Sequence, residues 1–206
     1  MYHFGVMLSH HQGKPDFDKL AVSGVEFINT KASEGASFRD PSYPRHVQEA
    51  RRVGMGIIAF HYWRPVGALT NLMNMLEATK NYPPDLYEID FEVMGKTRYD
   101  TVQELIDFHS KLYIETMRIP VFYTNPNFGK LYYKYGLHKL TPNILHIANY
   151  DRGFPMPVFP WVKWDIWQST QTARVLGLEG NGVIEITHTN FSNLVDRAIG
   201  KEVYDD

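Results

Sequence analysis

Short apolar runs alternate with stretches of helical periodicity along almost the whole chain. The runs Phe4 to Leu8, Val25 to Thr30, Gly56 to Phe60, Leu86 to Asp90, Ile119 to Tyr123, Ile144 to Ala148, Trp164 to Trp167 and Val183 to Thr187 predict eight strands. Between them, Asp16 to Ala21, Tyr43 to Val53, Asn71 to Asn81 and Thr101 to Thr116 carry apolar residues at helical spacing; the last does so through Val102, Leu105, Ile106, Phe108, Leu112 and Ile114. Repeated β-α units of this kind predict an α/β protein, and eight is the strand count of a closed barrel. After the fifth strand the helices shrink, and Pro126, Pro142, Pro155, Pro157 and Pro160 punctuate the chain. The expectation is therefore an irregular (β/α) TIM-like barrel with reduced helices in its second half. No repeat, linker or low-complexity segment divides the chain, so a single domain over residues 1–206 is expected.

A barrel of parallel strands places its chemistry at the C-terminal strand ends. These ends read Ser9-His10-His11-Gln12, Lys31-Ala32-Ser33-Glu34-Gly35, His61-Tyr62-Trp63, Asp90-Phe91-Glu92, Tyr123-Thr124-Asn125, Asn149-Tyr150-Asp151, Trp167-Gln168-Ser169 and Glu185 to Asn190. Each carries polar or aromatic groups, while the strand starts are blander. Asp90 and Glu92 stand out because strand alternation puts both on one face and Phe91 on the other. Two like charges in a partly desolvated cleft push their proton affinities apart, leaving one carboxyl protonated and one ionised. Glycosidic bond cleavage uses such a division. The plainer alternative is a salt-bridged or solvated strand end.

Composition narrows the choice. Hydrophobic residues make up 44% and charged ones 21%, which suits a globular protein rather than a disordered or fibrous one. Aromatic residues reach 14%, and Trp and Tyr suit either a large core or a cleft that stacks on sugar C–H faces. With a net charge of −2 and no long basic run, no nucleic-acid partner is expected. The chain has no cysteine, which excludes disulfides, thiolate chemistry and cysteine-ligated zinc. His10 and His11 are adjacent and would not share one ion, so no metal and no cofactor are expected. A histidine shaping the cleft floor through a ring N–H is the reading for this pair. His61 reads as structural, Lys31 with Glu34 as a salt bridge under the rim, and Asp165 as a strand-edge surface acid. The basic-aromatic stretch Asn127 to Tyr135 reads as a short packed helix with sugar-facing tyrosines.

The ordered set of motifs resembles the family 25 glycoside hydrolases, the Chalaropsis-type lysozymes used by many phages as endolysins. The likeness rests on Ser9-His10-His11-Gln12-Gly13, Gly24-Val25-Glu26-Phe27-Ile28, Lys31-Ala32-Ser33-Glu34-Gly35, Arg39-Asp40-Pro41, Ala50 and Gly54 before Phe60-His61-Tyr62, Asp90-Phe91-Glu92, Tyr123-Thr124-Asn125, Ala148-Asn149-Tyr150 and Trp167-Gln168-Ser169. It implies hydrolysis of the β-1,4 bond between N-acetylmuramic acid and N-acetylglucosamine in peptidoglycan. Glu92 then matches the general acid, and Asp90 the carboxylate that supports attack by the substrate's own acetamido group. Tyr62, Tyr123, Asn125, Trp167, Gln168, His10 and Glu185 are the expected substrate-binding residues, with Trp167 and Gln168 flooring the site.

Two positions depart from the family pattern. Its strand-one sequence G-[IV]-D-[VI]-S appears as Gly5-Val6-Met7-Leu8-Ser9, with Met7 in the acid's slot. Its C-terminal V-D-x-N-x-F, counted back from Phe191, puts Thr187 and Thr189 where Asp and Asn belong. Glu185 either reaches the cleft from the same strand face or takes the acid's slot after a shifted loop; both alignments stand open. Two rivals accompany the muramidase reading: a peptidoglycan-binding or tail-associated module that has lost turnover, and a hydrolase of a related glycan. The expected partner is the peptidoglycan glycan strand, without membrane insertion. Met1-Tyr2-His3-Phe4-Gly5 shows no signal peptide, which predicts synthesis in a host cytoplasm and action after release by a holin, lysis or virion carriage.

Overall fold

The fold was analysed in a computed structural model that describes residues 1–140, 144–150, 153, 155 and 161–201. Pro142, Asp151, Pro157 and Pro160 from the preceding reading lie outside the described residues. Among the described residues, nine strands run in chain order as β1 (His3–Leu8), β2 (Val25–Glu34), β3 (Phe38–Arg39), β4 (Gly56–Tyr62), β5 (Leu86–Asp90), β6 (Val121–Thr124), β7 (Ile144–Ala148), β8 (Ile166–Ala173) and β9 (Gly182–Thr187). The helices are α1 (Phe17–Val22), α2 (Tyr43–Arg52), α3 (Ala68–Thr79), α4 (Arg98–Thr116), α5 (Pro126–Tyr132) and α6 (Phe191–Ala198). Pairing of β1 with both β2 and β9 closes the sheet in the order β1-β9-β8-β7-β6-β5-β4-β2, with the two-residue β3 folded back on the end of β2. An eight-strand barrel results, as the alternation of runs predicts.

One strand departs from that prediction. β1, β2 and β4 to β8 are mutually parallel, whereas β9 runs antiparallel to both of its neighbours. The β8–β9 connection is short enough to be a hairpin, so no crossover turns the chain around. Glu185 pairs with Gly5 and Gln168, while Thr187 pairs with His3 and Ile166 at the starts of β1 and β8. The sequence reading treated Thr187 as a cleft position; it lies at the opposite end, where its hydroxyl donates to Thr189 O at 3.1 Å. β2 also runs four residues past its predicted end, with a register shift between Lys31 and Ser33.

Alternation sorts the apolar residues into an inner plug and outer layers. Phe27, Ile58, Leu86, Val121, Ile144 and Ile166 fill the lower barrel and meet Leu194 and Ala198 of α6, which caps the floor. α6 was not foreseen; Asn190 caps it by accepting from Asn193 N at 2.9 Å. Outside, Tyr87, Ile89, Phe91, Phe122, Leu145 and Ile147 share one cluster with residues of α3 and α4 and with Tyr132, Leu137, Leu140, Trp161 and Trp164. α1 and α2 cover Val6, Leu8, Ile28, Ile57 and Ala59. Tyr132 belongs to the outer layer, stacked 5.5 Å from Phe128, rather than facing a sugar. Asp165, expected as a surface acid, is buried: Arg197 Nη1 lies 2.6 Å from its Oδ1 and Leu145 N donates to its Oδ2 at 2.9 Å. That pair ties α6 to the bottom of β7 and β8.

Candidate active site

The upper barrel is lined by the inward residues of neighbouring strand ends. Register aligns Tyr62, Asp90, Tyr123 and His146 across β4, β5, β6 and β7. Past β5 the ladder continues by one bond, Phe91 N donating to Tyr123 O at 3.0 Å, while Trp63 N donates to Asp90 O at the same distance. Phe91 turns outward and is fully buried, so Asp90 and Glu92 share the inner face. Asp90 is 4% exposed and its Oδ1 finds no hydrogen-bond partner among the described residues. Glu92 is half-buried and accepts from the Tyr123 hydroxyl at 3.3 Å.

Both carboxyls are pushed above the ordinary carboxylate range. For Asp90 burial is the largest cause, reinforced by the charges of Glu92 and Glu88, and the displacement is large. For Glu92 burial again leads, but the Tyr123 hydrogen bond and the Lys31 charge oppose it. Burial thus favours a proton on both members of the pair, and the Glu92 charge adds to Asp90's hold on one. Burial of the Tyr62 phenol beside these acids pushes it up to about 12.

Tyr123 is the hub of the site. Its hydroxyl reaches Glu92 and also Gln168 Oε1, at 3.0 Å, and Gln168 Oε1 accepts from Tyr150 as well. Gln168 Nε2 lies 3.3 Å from Met7 Sδ, so Met7 occupies the inner face where the family pattern has an acid. Trp167, one residue from Gln168, has the opposite parity. It packs against the outer cluster and donates from Nε1 to Asn149 O at 2.8 Å, rather than flooring the interior. Asn125 Oδ1 accepts from Asn127 N and Phe128 N, both at 3.1 Å, and so caps α5.

The rim is charged and braced. Lys31 Nζ lies 2.5 Å from Glu34 Oε2, and Arg64 holds Glu34 Oε1 through Nε at 2.9 Å and Nη2 at 2.7 Å. Both cations lie over the Tyr62 ring, at 5.1 Å for Lys31 and 4.6 Å for Arg64. His10 is held by Asp40: its backbone N and ring Nδ1 reach Asp40 Oδ2 at 3.0 and 2.8 Å. Asp40 was quoted as part of a motif without this role. His61 is buried on the outer face between Ser33 and Asn71, and burial lowers it to about 4. No group of three or more metal-ligating side chains occurs among the described residues. A hollow of about 680 Å³ lies at the floor beside Glu26, Arg51, Asp85 and Phe191. It is remote from the carboxylate pair.

The arrangement is two carboxyls with raised proton affinity, a phenol linking Glu92 to an amide, and aromatic and cationic groups at the mouth. A model of glycosyl hydrolases family 25 matches residues 6–178, a span that contains every one of these groups. The chain belongs to glycosyl hydrolases family 25. Lysozyme M1 of Streptomyces globisporus is 23% identical over 190 residues, covering 86% of this family 25 chain and 65% of the relative, so the chain spans about two-thirds of that lysozyme's length. A family 25 glycosyl hydrolase from Bacillus anthracis superposes with a TM-score of 0.83 at 20% identity, covering 95% of this chain and 93% of that one. The catalytic domain of an endolysin from a Listeria monocytogenes bacteriophage superposes with a TM-score of 0.78 at 21% identity, covering 98% of both. The barrel is thus the family 25 fold.

Sequence reasoning missed three participants in this family 25 site. Tyr150 was visible at a strand end but received no role. Glu88 shares the inner face of Asp90 two residues away, and His146 is an inward residue between outward Leu145 and Ile147. Polar residues at mid-strand, at inward parity, were the available signal. Glu185, one of the expected substrate-binding residues, sits with these two below the mouth and is fully buried.

Proposed function

We propose that the chain is a peptidoglycan muramidase, hydrolysing the β-1,4 bond between N-acetylmuramic acid and N-acetylglucosamine, and that it serves as a phage endolysin. The observation that carries this reading is the placement of Asp90 and Glu92 on one inner face at the barrel mouth, both holding protons more strongly than ordinary carboxyls. In the free protein the pair shares a proton. A sugar ring laid over the mouth removes the remaining water from Glu92, which raises its proton affinity and moves the shared proton outward. Glu92 then protonates the glycosidic oxygen. Asp90, now ionised and steadied by Lys31, supports the acetamido group as its oxygen bonds to the anomeric carbon while the protonated glycosidic C–O bond breaks and the N-acetylglucosamine end leaves as an alcohol; water then opens the oxazolinium at the anomeric carbon and gives its proton back to Glu92. No protein nucleophile is required. Tyr62, His10 and the half-buried Asn125 line the approach, while Tyr123 and Gln168 hold Glu92 in place.

The lysozymes and endolysins among the relatives support this reading. Met7 on the inner face, where it adds no charge, favours one alternative, a wall-binding module with little turnover. Turbidity loss of purified cell walls separates the two, measured for the wild type and for Glu92→Gln. The muramidase reading expects clearing by the wild type, new N-acetylmuramic reducing ends, and loss of rate by about 10³-fold or more in the variant. If both proteins co-sediment with walls and neither clears them, the module reading holds instead.

A further inference from the structure

Beneath the carboxylate pair the barrel interior is polar at a depth where packing alone would make it apolar. Alternation aims Asn29 of β2, Glu88 of β5, His146 of β7 and Glu185 of β9 at one point, and none has exposed surface. Glu88 Oε2 lies 2.7 Å from His146 Nδ1, and Asn29 Nδ2 donates to Glu88 Oε1 at 2.9 Å and to Glu185 Oε1 at 3.1 Å. Glu185 Oε1 stands 3.6 Å from His146 Nε2. Three ionisable groups this deep are stable only when their charges balance. Burial opposes a charged imidazole, but the Glu88 and Glu185 carboxylates outweigh it, so His146 is held above its ordinary value. Burial raises Glu185 to about 7. A histidine inclined to its charged form and a Glu185 inclined to its protonated one bring the buried cluster closer to charge balance.

This cluster bears directly on the site above it. Glu88 precedes Asp90 by two residues on the same face, and its charge strengthens Asp90's hold on a proton. The His146 ring meets the Tyr123 ring edge-on at 4.8 Å, and Tyr123 carries the hydrogen bonds to Glu92 and Gln168. Other charged or titratable groups facing Asp90 are Lys31 and Glu34 from β2, Arg64 and Tyr62 from the end of β4, Glu92 and Tyr123, with Tyr150 beyond β7. Lys31 and Arg64, both engaged by Glu34, act on the pair from the rim, whereas His146 lies beneath it.

We propose that Glu88, His146 and Glu185 form a positioning triad for the Asp90–Glu92 pair, in which the His146 imidazolium neutralises carboxylate charge directly below Asp90 so that the pair above can share one proton. The kinetic consequence rests on the muramidase reading; the charge state of the triad does not. Glu88→Gln and His146→Gln are opposite perturbations of one contact. Without the imidazolium the Glu88 charge bears unbalanced on Asp90, and the pH profile of wall hydrolysis moves up by about one pH unit; without the Glu88 charge it moves down by a similar amount. The change appears in kcat, with KM within about twofold. A purely structural role lowers stability or rate in both variants without moving the profile, or moves both the same way, and either result overturns the proposal. Titration of the His146 ring in the wild-type full chain by NMR needs neither turnover nor a folded variant. A ring that titrates above the ordinary imidazole value is expected, and one that titrates at or below it refutes the triad. If the wild type leaves walls intact, the muramidase reading fails while this titration still decides the triad.

Discussion

Replacing Phe91 by Leu tests whether the outer core aims the catalytic pair. Phe91 stands between Asp90 and Glu92, fully buried on the opposite face. Its ring meets Trp63 at 5.8 Å, Phe128 at 5.2 Å and Tyr132 at 5.1 Å in edge contacts, and Phe122 at 6.1 Å in a tilted one. Leucine keeps most of the buried area but loses these four ring pairs, which at about 0.5–1 kcal/mol each amount to about 2–4 kcal/mol. Glu92 lies beyond the last strand residue and is fixed by Phe91 on one side and the long Tyr123 bond on the other, so slack at Phe91 passes directly to its carboxyl. A displacement near 1 Å costs about 10²-fold in rate. Phe91→Leu is therefore expected to lose about 2–4 kcal/mol in urea unfolding and about 10- to 100-fold in kcat for wall clearing, with KM nearly unchanged. Initial clearing rates against wall concentration, beside unfolding curves, read both quantities. A variant that loses the stability and keeps its kcat refutes the idea that this aromatic anchor sets the acid's position.

Asp90→Asn is expected to abolish clearing while making the fold more stable at neutral pH. Burial raises the folded-state proton affinity of Asp90, so native protein holds a proton that the unfolded chain has released, and wild-type stability falls as pH rises through that interval. Asparagine has no such penalty; unfolding curves at pH 4 and pH 8 should show the variant's advantage growing with pH, and an equal difference at both counts against the burial argument. Tyr123→Phe removes a hydrogen bond that favours ionised Glu92, so the alkaline limb of the rate profile should move up by about half a pH unit, and a downward shift contradicts the assignment. Gly56→Ala places a methyl 2.2 Å from Cδ1 of Phe191, which must shift to admit it. We expect a loss of about 1–3 kcal/mol with clearing retained, and an unchanged melting temperature would show that α6 yields freely.

The parallel strands and their polar ends were legible because alternation and strand length write themselves into the order of apolar residues. Direction is not written there. Val183 to Thr187 has the same period whether it runs up or down, so Thr187 was placed at the mouth although it lies at the floor. Parity was available and underused: of Trp167 and Gln168 only one can face inward, and it is Gln168. Asp90 and Glu92 were legible as neighbours on one face. Their proton affinities were not, because these depend on Glu88 from below, Lys31 across the barrel and the depth of each group, none of which spacing encodes. The triad was hidden for a similar reason, since Asn29, Glu88, His146 and Glu185 are spread over 157 residues of chain and meet only once the barrel closes.

The reversed closing strand also decides where the molecule can be held. β1 starts at the floor, and β9 descends to the floor and hands over to α6, which packs across it. Described residues at both ends of the chain therefore sit on the side of the barrel opposite the carboxylate pair. A surface tether or a fluorescent label attached at Tyr2 or Lys201 would hang from the base and leave the mouth facing outward, so immobilised protein should present its cleft to an insoluble wall without a spacer chosen to clear it.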